Sequence, residues 1–264
     1  MATDMYLAYD VLDNVGPATM RLKGKTGEMP ELAEALKPIR QTAMGSFSFI
    51  VEDLKRTAQN IMVLPIDLTV ADITTQTMAR LRIISQYRVS VSSLLVSLGD
   101  GGWKRPYNPQ NMQSSFDVGA DGNALLSHFI LDVVDQLIHE LEQRAVNIIK
   151  KKSNISVFMV NNVAYIETAI RRSDLSKILT SAALAKVDKW NKDAVKMYME
   201  QWKECAAYLM DVTFTKAQAP GKGLSSKEKE GVKDKFKVRF ACRDRERMLT
   251  DVLVPRTLIS RSMS

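Results

Sequence analysis

The stretch 150-KKKSNISVFMVNNVAYIETAIRRSDL-175 decides how this chain is read. Ile155, Phe158, Met159, Ile166, Ala169 and Ile170 recur three or four positions apart, the spacing of a helix with one buried face. Asn162 falls on that stripe and Asn161 beside it. A buried amide costs stability unless it is hydrogen-bonded, so the pair needs partners, expected on side chains or backbone carbonyls of neighbouring long helices. Basic residues crowd both ends. The stretch is too polar to span a bilayer, and no other polar groups converge on it in sequence as a ligand site requires. Asn161 and Asn162 are therefore assigned a structural role.

The same period runs outward in both directions. Leu32, Leu36, Ile39, Ala43, Phe47, Ile50, Leu54 and Ile61 predict a helix from Pro30 to about Leu64, kinked or split at Pro38. A helix capped near Thr74 or Thr75 is expected to carry Met78, Leu81, Ile84, Tyr87, Val91, Leu94 and Leu95 and to stop at Gly99. Another spans about Asn123 to Lys152. The quoted helix follows it after a short turn, so the two should lie antiparallel. A further helix is expected from about Ser181 to Thr215. Tyr6, Leu7, Val11 and Leu12 form a short apolar face near the N-terminus, with nothing upstream in the sequence to complete it. The fold class is all-α, a stack of antiparallel helical bundles. The turn-rich run around 99–123 divides it into a bundle over 1–110, a linker over 111–122 and a second bundle over 123–264.

Composition excludes several classes. Two cysteines, Cys205 and Cys242, imply no disulfide framework, and a reducing compartment is expected. No signal peptide is expected at MATDMYLAYD, and no window is long and apolar enough to cross a membrane. Gly24-Lys25-Thr26 resembles the end of a phosphate-binding loop, but Thr19 stands where that motif needs glycine. The glycines at 99–102 read as a helix stop and turn. His128 and His139 read as ordinary helix-face histidines. Arg243 to Glu246 has no partner motif for phosphoryl transfer, and no nucleophile–base arrangement is present in sequence. No catalytic residue, cofactor or metal is expected.

Charge is unevenly placed. Residues 216–264 hold 13 Lys and Arg against 6 Asp and Glu, which accounts for the whole net charge of +7. Ser225 and Glu228 form a capping box that opens a basic helix with Lys227, Lys229, Lys233, Lys235, Lys237, Arg239 and Arg243. Interspersed acids permit an ordinary solvated face; otherwise the helix is an anionic contact surface, for a phosphoinositide membrane or for nucleic acid. Phe236 and Phe240, four apart, read as a buried stripe rather than as base-stacking residues.

The order of four stretches resembles the Exo-seventy subunit family of the exocyst, the vesicle-tethering complex, in its fungal branch. They are 32-LAEALKPIRQTAMGSFSFIVEDLKR-56, 75-TQTMARLRIISQYRVSVSSLLVSLGDGGW-103, 155-ISVFMVNNVAYIETAIRRSDLSKIL-179, and the segment from Trp202 onward that includes 235-KFKVRF-240. The resemblance implies a rod of helical bundles without enzymatic activity, acting in exocytosis from the cytoplasm at plasma-membrane sites of secretion. It implies other exocyst subunits, a Rho-type GTPase and phosphatidylinositol 4,5-bisphosphate as partners. Relative to that family the chain is expected to lack the N-terminal region and the last C-terminal bundle, where the family's lipid contacts lie. The family's secondary basic surface would then fall near Lys227 to Arg247. Two alternatives remain at this point: a basic helical module for nucleic acid, and a truncated product without independent activity.

Overall fold

In the computed structural model, residues 5–15, 30–105 and 121–203 are described, and these are all helix, turn and connection. The helices are α1 (5–15), α2 (Pro30–Gln59), α3 (Asp72–Gln86), α4 (Arg88–Leu98), α5 (Gly122–Ile148), α6 (Lys152–Arg171), α7 (Leu175–Ile178) and α8 (Ser181–Glu200), with a 3-10 turn at Gly102–Lys104.

The buried residues follow from the helical period. On α2, Ala43, Phe47, Ile50, Leu54 and Ala58 face inward; on α5, Leu126, Phe129, Ile130, Val133, Val134, Leu137 and Leu141 do so. α5 is the hub of the packing, against α2, α4 and α6, while α8 lies mainly on α6. Aromatic rings mark the centre. Phe47 meets Phe129 edge-on with centroids 5.2 Å apart, Phe129 meets Trp103 at 5.5 Å, and Tyr9 reaches Phe47 at 6.1 Å. The Tyr9 hydroxyl pairs with Ser46 Oγ, and burial holds its phenol well above the ordinary value despite that bond. Described residues on both sides of 111–122 share one apolar cluster.

Several expected boundaries move. α2 is a single helix through Pro38 and ends at Gln59, five residues short of Leu64. Pro38 is exposed, so the carbonyl its missing N–H leaves unpaired can turn to water. The stripe from Met78 to Leu95 is divided at Tyr87, whose ring packs against Tyr9 with centroids 5.9 Å apart. α8 ends at Glu200, where the chain turns at Gln201 and Trp202; the part of the expected helix from 204 to 215 lies outside the described residues. α7 is a short helix that the pattern did not announce.

The caps show which residues set these limits. Asp121 and Thr180 accept from the amides of Asn123 and Ala183 at the starts of α5 and α8. Gly99 closes α4 at φ 80°, a conformation that favours glycine. Gly122 lies where α5 begins against α4: a Cβ there would stand 2.9 Å from the Ser92 carbonyl oxygen. On α1, Met5, Ala8 and Tyr9 are buried, whereas Leu7 is exposed and Tyr6, Val11 and Leu12 are half-buried.

Candidate functional site

α6 carries Asn162 into the interior, with no solvent exposure, and Asn161 to its margin. Both side chains reach the segment that joins α2 to α3. Asn162 Oδ1 accepts from the Ala71 amide at 3.0 Å and from Thr74 Oγ1 at 2.7 Å, and its Nδ2 donates to the Phe158 carbonyl within α6 at 2.8 Å. Asn161 Nδ2 donates to the Leu68 carbonyl at 2.9 Å. Two of the four partners, Ala71 and Leu68, thus lie on a connection, while Thr74 is a side chain of a neighbouring helix, as expected, and Phe158 belongs to α6 itself.

The geometry explains why amides are needed here. α3 begins after Ala71, which makes no side-chain cap, and Asn162 accepts the amide of Ala71 itself from another helix. Thr74, a candidate cap in sequence, is fully buried and donates to the same oxygen. Leu68 has φ 58°, left-handed for a residue with a side chain. Its amide donates to the Pro65 carbonyl at 3.0 Å, and Asp67 accepts from the Thr69 hydroxyl at 2.8 Å and from its amide at 3.3 Å. Those two bonds hold the Asp67 carboxyl below the usual carboxylate range.

The connection is therefore pinned from Pro65 to Ala71 and presents two faces. Leu64 is buried and Leu68 packs partly on the core. Met62, Val63 and Ile66 point away, at 78%, 75% and 97% exposure.

Other polar groups join helices in pairs. Asp53 bonds Arg56 and Arg80, each at 2.6 Å, tying α2 to α3. Burial pushes its carboxyl up, but the two guanidiniums outweigh burial and leave it below the ordinary value. Arg171 and Asn191 converge on Glu167, with Asp188 also on Arg171, tying α6 to α8. Around the 3-10 turn, Asp132 accepts from Trp103 Nε1 at 3.0 Å and pairs with Lys104 at 2.9 Å, and His128 Nδ1 pairs with Asp100 at 2.6 Å. The sequence reading missed this group, although Asp132 stands four residues after His128, one helical turn on. No His, Cys, Asp and Glu cluster among the described residues could hold a metal ion, and no helix among them is long and apolar enough to cross a membrane. A shallow groove of about 280 Å³ lies between α5, α6 and α8, with Ile138, Met159 and Trp190 among its apolar walls and Glu142 and Asp193 among its acids.

Lys227, Lys229, Lys233, Lys235, Lys237, Arg239 and Arg243 lie outside the described residues.

These features define an all-α helical-bundle protein whose polar side chains join helices to one another. The chain belongs to the family of the C-terminal part of the Exo70 exocyst complex protein, whose model matches residues 1–240. It is 38% identical over 258 residues to the exocyst complex protein exo70 of Neurospora crassa, covering 89% of this chain and 40% of that protein. It is 32% identical over 253 residues to exocyst complex protein EXO70 of Gibberella zeae, with the same two coverages. The chain thus spans 40% of the length of these curated relatives. A solved structure of Saccharomyces cerevisiae Exo70 superposes with a TM-score of 0.63 at 23% identity, covering 95% of this chain and 48% of that one, which shows a shared fold.

Proposed function

We propose that the chain is a non-enzymatic scaffold segment of an exocyst subunit, serving vesicle tethering in exocytosis. Family membership over residues 1–240 is the observation that carries this reading. The described structure supports it, because helices braced by inter-helix pairs such as Asp53–Arg80 and Arg171–Asp188 give a stiff unit with surface to offer partners. Other exocyst subunits and a Rho-type GTPase are the protein partners. The basic segment Lys227, Lys229, Lys233, Lys235, Lys237, Arg239 and Arg243 is the surface that faces a phosphoinositide membrane, since each basic group near an anionic bilayer contributes ~1 kcal/mol. On this reading the protein works in the cytoplasm, peripheral at plasma-membrane sites of secretion. The charge excess of residues 216–264 favours an anionic partner and so keeps nucleic acid as the second reading.

Flotation with liposomes separates the two. Binding that rises with phosphatidylinositol 4,5-bisphosphate and falls when Lys233, Lys235 and Lys237 are changed to glutamate is expected. Flotation indifferent to phosphoinositide rejects the lipid contact, and salt-sensitive shifts of duplex DNA would favour the second reading.

A further inference from the structure

The connection 60–71 does something a solvent loop has no need to do. From Pro65 to Ala71 its backbone is pinned by Asn161, Asn162, the Pro65–Leu68 bond and the Asp67–Thr69 bonds, and just before that Leu64 is buried, yet Met62, Val63 and Ile66 stand in water. Single exposed apolar residues are ordinary on protein surfaces; a group gathered at one place marks a contact. Met62, Val63 and Ile66 stand within five residues of each other, whereas Leu7, Val89, Val146, Tyr165, Val195 and Met199 are scattered over five helices. A fixed backbone also lowers the entropic cost of ordering a loop on binding.

Charge restricts what covers it. From Asn60 to Ile73 the chain carries Asp67 and Asp72 and no cation. Both carboxylates are exposed, and the Thr69 bonds lower the Asp67 carboxyl further below its ordinary range. Lys55 and Arg56 stand just before the loop on α2, and Arg56 is engaged by Asp53. Such a patch is repelled by an anionic bilayer. A two-fold contact with a second copy would gather the same carboxylates in one interface.

We propose that the connection 60–71 is a docking surface for another subunit of the same complex, which receives Met62, Val63 and Ile66 in an apolar concavity rimmed by Lys or Arg. This rests on the scaffold reading above and adds the place and chemistry of one contact within the complex.

The test uses the full chain and purified exocyst subunits from the same organism, presented singly and as assembled subcomplexes. Affinity is measured for the wild type, for the triple variant Met62→Ser, Val63→Ser and Ile66→Ser, and for a control with Val146→Ser and Val195→Ser. The triple variant is expected to lose at least ten-fold in affinity for one subunit at an unchanged melting temperature, while the control binds as the wild type does. Asp67→Lys, a second variant, is expected to weaken the same contact and to flatten its salt dependence. A wild type that binds subunits, with a triple variant that binds them equally, overturns this proposal and leaves the scaffold reading standing. A wild type that binds no subunit overturns both. The surface is also misassigned if the triple variant loses only liposome binding, only self-association, or only crosslinks to residues 225–247 of its own chain.

Discussion

Two connections in this protein are fixed in opposite ways. The segment 99–105 is anchored by an aromatic side chain that turns inward: Trp103 is buried, packs on Phe129, and donates its indole N–H to Asp132. The segment 60–71 is anchored by amides that reach out to it from α6, and its large apolar residues turn outward. An inward aromatic contributes buried area and leaves little apolar surface exposed. Anchoring through hydrogen bonds leaves the apolar side chains available. The second arrangement costs the burial of an amide, offset by the three bonds Asn162 makes, and it suits a segment whose work lies outside the molecule.

The largest effect on this contrast is expected at Trp103. Trp103→Ala removes a buried indole and one of the partners of the Asp132 carboxylate, which keeps Lys104, and a loss of roughly 3–5 kcal/mol is expected in denaturant unfolding. A loss under about 1 kcal/mol would mean that the 99–105 turn is not held by its aromatic. A smaller effect is expected at Asp53, which braces α2 against α3 just before the outward loop. Asp53→Asn should cost about 1–3 kcal/mol. Because the folded carboxyl lies below its ordinary value of 3.8, its contribution is present above that value and is lost as pH falls through the lower folded one. Acid unfolding followed by circular dichroism should therefore show the wild type losing its advantage over Asp53→Asn only in the acid range. An advantage that already fades near neutral pH would assign the bond differently.

Much of the fold was legible. The cores of α2, α5 and α6 follow a 3.6-residue period with few interruptions, and the stop at Gly99 follows from the conformation glycine permits. The division at Tyr87 was not, because the apolar stripe continues across it, and the Tyr87 ring meets Tyr9, which is far away in sequence. Asn161 and Asn162 were visible as polar residues on an apolar face. Their partners were not, since Ala71 and Thr74 lie 91 and 88 residues away and one of them acts through its backbone. Thr74 illustrates the limit well. Its type and position suit a local cap, yet the fold buries it and turns its hydroxyl to another helix. Exposure of Met62, Val63 and Ile66 was illegible for the same reason, because an apolar run in a connection reads equally well as buried until its backbone is placed.

The most direct measurement is amide hydrogen exchange across residues 62–74 in the wild type and in Asn162→Leu. Leucine fills the space but leaves the Ala71 amide and the Thr74 hydroxyl without their acceptor. Wild-type protection of this connection should approach that of α3, and the variant should lose it while α5 keeps its own, with a lowered melting temperature. Equal exchange in the two proteins, or a connection unprotected in the wild type, would contradict the claim that α6 holds this segment in place.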